Sequence, residues 1–337
     1  MKICIIGAGA IGGLLGVRWS LAGEDVTFVE RPGPHLDAIK AHGLKLLMHG
    51  GEEFLARDLR ITDDITKAGV QDVVVIGVKA YHIPAIAATM RTLFGPQTVV
   101  ITIQNGIPWW YFHKHGGEFE GRRLESVDPS GEIDANIEPE RIIGCIVYPA
   151  AEVIAPGVIK HVEGNRFPVG ELDGTTSERV EKIAQSLNNA GFKSFVLEDI
   201  RAEIWLKAWG NLSFNPISAL TQATLVDICQ FAPTRQLAAQ MMEEAQAVAN
   251  KLGISFRHTI EKRIAGAESV GKHKTSMLQD VEAGRQLEVE ALLGTVVELG
   301  RLTDTPTPTI DTVYALVKLL DKIMREEHVA VVAKRLN

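Results

Sequence analysis

The sequence predicts an α/β protein in two parts, a parallel-sheet domain followed by an all-helical one. Three observations predict it. A glycine-rich turn, Gly7-Ala8-Gly9-Ala10-Ile11-Gly12, follows directly on the apolar run Lys2–Ile6. Short apolar runs then alternate with helical patterns as far as residue 198. From Asp199 onward the periodicity is helical throughout and nothing reads as a strand.

Each element follows from its residues. A buried strand over 2–6 must end in a tight turn, which Gly7 allows; Gly9 lets backbone approach a pyrophosphate, and Gly12 lets the next helix pack close. A helix over 10–22 then presents its unbonded N–H groups and positive dipole end to phosphates. The strand Asp25–Glu30 ends in an acidic residue at the spacing of a Rossmann-type dinucleotide site. Glu30 suits the ribose hydroxyls of NAD, whereas Arg31 suits the extra phosphate of NADP or stacking on adenine, so the pair argues in both directions. A helix over Pro34–His42 and an extended Leu44–Met48 segment follow. Asp72–Val78 is apolar enough for a strand buried on both faces. Next come a helix from Pro84 to Phe94, a strand over Thr98–Ile103 ending in Gln104-Asn105-Gly106, strands at Ile142–Val147 and Val158–Val162, and an amphipathic helix over Ser177–Ala190.

Bulk properties narrow the function. A chain of 337 residues with 46% hydrophobic content supports two domains, expected as 1–198 for an NAD(P)-binding Rossmann-type domain and 199–337 for a helical catalytic domain. A net charge of −7 gives no electrostatic footprint for nucleic acid or an anionic membrane. Cys4, Cys145 and Cys229 are scattered among apolar residues and read as reduced core thiols, neither a disulfide frame nor a metal site. The first residues already read as a strand, not a signal peptide, and no apolar run spans a bilayer, so a cytoplasmic enzyme is expected.

Residues 107–141 stand apart: Pro108-Trp109-Trp110-Tyr111-Phe112-His113-Lys114-His115, then a polar run to Arg141. A loop of this length is often functional, and the aromatic cluster is expected to pack on the core, form a lid or meet another subunit. His113 and His115 lack a supporting ligand set, and no metal is expected.

The chemistry centres on Ile204–Pro216. In a helix Lys207, Asn211 and Asn215 fall at i, i+4 and i+8 on one line of an otherwise apolar segment, with Pro216 expected to end the helix at Asn215. An ammonium in apolar surroundings is displaced towards its neutral form, which suits general acid work, and two amides beside it can orient a keto oxygen and a carboxylate. The competing structural reading pairs Glu203 with Lys207 as a helix ion pair and uses the asparagines as caps.

These motifs together resemble the ketopantoate reductases (2-dehydropantoate 2-reductases). The resemblance runs over nearly the whole chain: the Gly7–Gly12 turn, Val78-Lys79-Ala80, Gln104-Asn105-Gly106, Ile200–Trp205 with Lys207, Asn211, Asn215-Pro216, Thr275–Asp280, and Gly284-Arg285 with Glu288. It implies NADPH-dependent reduction of ketopantoate to D-pantoate on the route to pantothenate and coenzyme A, with a small 2-keto acid as partner and a homodimer possible. It also implies residue roles. Lys207 matches the lysine that protonates the developing alkoxide; Asn105, Asn211, Asn215, Ser276 and Glu288 match substrate-binding residues. Gly7, Ala8, Gly9, Ala10, Ile11, Gly12, Arg31, Lys79 and Asn105 match the cofactor side. Ser276-x-x-Gln279 also reads as a capping box. A reductase of another 2-keto or hydroxy acid and a non-catalytic NADPH-sensing protein are the alternatives; the second would not need the lysine and its polar stripe.

Overall fold

The computed structural model describes residues 1–57 and 59–334, which fall into two compact units. The first comprises residues 1–104, 112–123 and 130–200; the second comprises 105–111, 124–129 and 201–337.

The first unit is built on two sheets. Its strands are β1 (Lys2–Ile6), β2 (Asp25–Val29), β3 (Leu44–Leu47), β4 (Glu53–Ala56), β5 (Arg60–Thr62), β6 (Gln71–Ile76), β7 (Phe94–Thr102), β8 (Ile142–Cys145), β9 (Ala150–Ala155), β10 (Val158–Glu163) and β11 (Val169–Gly170). Its helices are α1 (Ala10–Leu21), α2 (Pro34–His42), α3 (Pro84–Met90) and α4 (Glu178–Asn189). The main sheet runs β11-β8-β7-β6-β1-β2-β5, parallel except where β11 meets β8. The second sheet runs β4-β3-β10-β9. The α/β reading holds, and so do the main strands and helices, to within a few residues at their ends. The short strands β4, β5 and β11 carry too few residues to stand out in the sequence, and β9, Ala-Ala-Glu-Val-Ile-Ala, does not alternate.

The centre of the main sheet is apolar on both faces. Ile3, Ile5, Val73, Val75, Val99 and Ile101 are buried on one face and Cys4, Val74 and Val100 on the other, as expected for parallel strands covered from both sides. Register sets the site: Ile6 lies level with Val29 on one side and Ile76 on the other, so β1, β2 and β6 end together. Cys4, Cys145 and Cys229 are all buried thiols, and burial pushes the Cys4 thiol up to about 12.

The second unit is helical: α5 (Ile200–Thr221), α6 (Leu225–Gln230), α7 (Ala232–Lys251), α8 (Ile260–Ser269), α9 (Ser276–Glu282), α10 (Thr295–Leu302) and α11 (Pro308–Glu326). One expectation is corrected here. Pro216 does not end α5, which runs on to Thr221. A proline inside a helix costs about 3 kcal/mol. Leu212, Phe214 and Ile217 around it are each buried to 3% exposure or less. Burying a large apolar side chain is worth roughly 1.5–3 kcal/mol, so three of them outweigh the broken bond.

Residues 107–141 do not form one structureless loop. They are divided into turns that belong alternately to the two units. Trp109, Trp110, Tyr111 and Phe112 are buried, and Tyr111 packs in the second unit against α5: its hydroxyl accepts from Trp205 Nε1 at 2.8 Å and its carbonyl from Arg201 Nε at 2.8 Å. Of the three roles open to the cluster, this is the core-packing one. His113 is bonded to Asp134 in the first unit. No described helix is long and apolar enough to cross a membrane.

Among the described glycines of the first unit, the closest approach to backbone lies at Gly12, where a Cβ would stand 2.0 Å from the Gly7 carbonyl oxygen. Gly12→Ala must therefore push α1 away from the turn. Overpacking of this kind typically costs ~1–3 kcal/mol. A lower unfolding midpoint together with weakened dinucleotide binding is expected, and calorimetric melts plus a binding titration check it.

Candidate active site

The first half of the site lies at the carboxyl edge of the main sheet. Gly7 takes a left-handed φ of +103°, and its N–H donates to the Val29 carbonyl at 2.8 Å. Ala8 is fully buried and its N–H donates to Glu30 Oε2 at 2.6 Å. Gly9 is the N-cap of α1, and no side chain caps it. Ala10, Ile11 and Gly12 form the first turn, whose N–H groups have no place in the helix's own ladder. A turn of this shape at a positive dipole end fits a pyrophosphate.

Arg31 follows β2 and is exposed; Lys79 follows β6 and precedes a short turn over Ala80–His82. Gln104 fastens that edge from β7: its Nε2 donates to the carbonyls of Ile76 at 2.6 Å and Val78 at 3.0 Å. His82 is held below the usual histidine range, first by burial and then by the Arg31 cation nearby. The sequence singled out neither Gln104 nor His82 by role, because both act through tertiary neighbours.

The second half belongs to the helical unit. Lys207 and Asn211 are half-buried on α5, and Asn215, two turns beyond Lys207, is buried. Their flanks Ile204, Trp205, Leu206, Ala208, Trp209, Leu212 and Phe214 are core residues, and Trp209 Nε1 donates to the Met242 carbonyl at 2.7 Å, which ties α5 to α7. Glu203, which the competing structural reading pairs with Lys207, has an ion pair with Arg257 at 2.7 Å.

Ser276 is the exposed first residue of α9, and the cap before it is Thr275, whose Oγ1 accepts from Leu278 N–H at 3.3 Å. The capping-box reading of Ser276 and Gln279 is therefore corrected: the capping hydroxyl lies one residue earlier. Glu288 is 6% exposed. The chain leading to it is clamped by Arg285 on Asp280 at 2.7 Å and by Leu287 N–H on Asp321 Oδ1 at 2.8 Å.

Just beyond Glu288 the helix widens into a π turn over Glu290–Gly294. The Ala291 carbonyl accepts from Thr295 Oγ1 at 3.0 Å and from Ile107 N–H at 3.0 Å. Gly106, at φ +86°, lies so close that a Cβ would stand 1.9 Å from the Ala291 oxygen. This contact joins the Asn105 turn to the helical stretch that follows Glu288. Apart from Ser276, exposed on α9, the candidate residues form three groups: the sheet edge of the first unit, the α5 stripe, and, in the second unit, the Asn105 turn with the segment around Glu288.

A parallel-sheet unit with a phosphate-ready turn, joined in one chain to a helical unit with an embedded lysine–amide stripe, defines a nicotinamide-dinucleotide-dependent oxidoreductase. The family models described as "Ketopantoate reductase PanE/ApbA" and "Ketopantoate reductase PanE/ApbA C terminal" match residues 3–174 and 199–321. The chain belongs to the ketopantoate reductase family. It is 53% identical to a 2-dehydropantoate 2-reductase of Mesorhizobium japonicum over 321 residues, 95% of this chain and 98% of that protein. A protein of Ralstonia solanacearum MolK2 assigned as a ketopantoate reductase superposes with a TM-score of 0.90 at 38% identity, covering 95% and 98% of the two chains. A D-mandelate dehydrogenase solved with NADH and anilino(oxo)acetate shares the fold at a TM-score of 0.83 and 22% identity, covering 96% of this chain and all of that one, 100%.

The Arg31–His82 proximity yields a signed pH prediction. Arg31→Ala removes the repulsion that disfavours the imidazolium, so the His82 midpoint should rise, yet stay below its ordinary value because burial remains. Histidine ring NMR against pH measures it. An unmoved midpoint would separate the two side chains.

Proposed function

We propose that this chain reduces 2-dehydropantoate to D-pantoate with NADPH, in the synthesis of pantothenate and coenzyme A. The observation that carries this reading is the α5 stripe, Lys207, Asn211 and Asn215, set in a buried helix of a chain from this family. In this reading residues 1–198 hold the dinucleotide and residues 199–337 supply the chemistry.

The residues present fit the cofactor. Gly9 has open space where a Cβ would be, with nothing within 4 Å, and α1 begins there without a side-chain cap. Gly7, Ala8, Gly9, Ala10, Ile11 and Gly12 would line the pyrophosphate, with Lys79 and Asn105 on the cofactor side. NADPH is favoured over NADH because Glu30 already accepts from the Ala8 N–H, while Arg31 is exposed. Arg31 can then pair the extra phosphate through its planar fork.

When bound, the reduced nicotinamide supplies a hydride to the keto carbon. Lys207, as ammonium, stabilises the negative charge gathering on the keto oxygen and donates a proton from Nζ to it. Asn105, Asn211 and Asn215 orient the keto acid through neutral amides, Ser276 helps hold its carboxylate, and Glu288 accepts from its hydroxyl. Burial of Asn215 and Glu288, and partial burial of Lys207 and Asn211, strengthens their contacts relative to water.

Oxidation of NADPH with a panel of 2-keto acids, repeated with NADH, tests the assignment. Ketopantoate with NADPH should give the highest kcat/KM; faster turnover of another keto acid would favour the broader 2-keto acid reductase reading.

Lys207→Ala should lower kcat by at least ~10²-fold, the lower end of what a general acid supplies, with NADPH binding retained. Unchanged turnover would reduce Lys207 to a helix residue. Glu288→Ala should impair reduction of ketopantoate far more than of an analogue lacking the hydroxyl, since only the former forms the bond. Equal losses on both would place Glu288 in the scaffold.

A further inference from the structure

We propose that His35 is a positioning residue for the dinucleotide: it holds the Ala8–Gly9 peptide so that the Gly9 N–H faces the pyrophosphate. The inference rests on the reading of the first unit as a dinucleotide site, where His35 acts through the Ala8 carbonyl.

In a trans peptide the C=O and the following N–H point in opposite directions. The Ala8 carbonyl lies 2.9 Å from His35 Nε2, and His35 Nδ1 lies 3.1 Å from the Gly157 N–H. A neutral ring with its proton on Nε2 satisfies both contacts at once, donating to Ala8 and accepting from Gly157. With the Ala8 oxygen drawn to the ring, the Gly9 N–H is turned the other way.

The preceding peptide is held as well. The Ala8 N–H donates to Glu30 Oε2 at 2.6 Å, so two successive peptides are fixed by side chains from β2's end and α2's start. His35 itself has a firm support. Gly157 lies in the turn between β9 and β10, and its carbonyl accepts from Lys45 N–H of β3 at 2.9 Å. The second sheet therefore acts as an abutment for the ring, and the ring for the turn.

A glycine-rich turn has little conformational preference of its own. Without the ring, the Ala8–Gly9 peptide would have to be ordered by the ligand, which lowers affinity. One neutral hydrogen bond lost in this way corresponds to about a 3- to 10-fold weaker complex.

Calorimetric titration of the full chain with ADP-ribose tests this, because ADP-ribose carries the pyrophosphate but neither nicotinamide nor the extra phosphate. His35→Ala should weaken ADP-ribose by about 3- to 10-fold, while His35→Gln, whose amide can both donate and accept, should stay within about twofold of the parent. In turnover, His35→Ala should raise KM for NADPH and leave kcat at saturation unchanged. Should the alanine variant prove too unstable to titrate, His35→Leu fills the space without donating. Parent-like ADP-ribose binding by the alanine or leucine variant overturns the inference and leaves the dinucleotide reading standing. An equal loss in the glutamine variant also overturns it, by making the ring a matter of packing. If the unaltered chain binds neither ADP-ribose nor NADPH, the dinucleotide reading fails and the inference with it.

Discussion

The contact on which the first unit depends is one between two stretches of backbone. Gly12 lets the first turn of α1 settle on the Gly7 carbonyl at a distance no side chain would permit. That approach brings the start of α1 up to the end of β1, where β2 and β6 also end in register. Gly7, Glu30 and Gly77 are thereby gathered at one edge, and their backbone ties across it: Gly7 N–H to Val29, and Gly77 N–H to Ile6 at 2.8 Å. Because the contact is between peptides, it sets direction as well as distance, and the N–H groups of the helix start acquire a fixed aim.

Polar side chains then finish what the backbone begins. Glu30 and His35 seize the two sides of Ala8, and Gln104 fastens the end of β6. None of these residues supplies chemistry. Each removes a degree of freedom from a segment that would otherwise sample many conformations, and a preorganised site loses less on binding. The acidic residue at the end of β2 is instructive. Its presence argues for NAD when read by position, yet its carboxylate is engaged by the turn's own backbone.

The helical unit solves a related problem by burial. The α5 stripe must keep polar groups on a helix whose remaining faces are apolar, and the helix passes through Pro216 without stopping. Core packing on both sides outweighs the lost ladder bond. At the other polar corner, the π turn at Glu290–Gly294 leaves the Ala291 carbonyl to accept from Ile107 and Thr295, which fixes the Asn105 turn beside the helical stretch that follows Glu288. A local irregularity thus joins two segments far apart in the chain.

By itself, the sequence determined the parallel α/β unit, the glycine turn, the helical second half and the lysine–amide stripe. These are periodic or closely spaced features, and their physics is contained in the residues that display them: apolar runs for buried strands, i+4 spacing for one helix face, glycine where a backbone must come close. The tertiary structure alone decided the rest. That α5 continues past Pro216 depends on the burial of its neighbours, and the buried aromatics of 109–112 depend on what covers them. Thr275 caps α9 in place of Ser276 because the chain enters the helix one residue earlier than the pattern implies. His35 could not be singled out at all, since its meaning lies in Ala8, 27 residues before it, and Gly157, 122 residues after. Hydrogen bonds between residues so far apart leave no period or spacing in a sequence; they exist only once the sheets have brought their partners together.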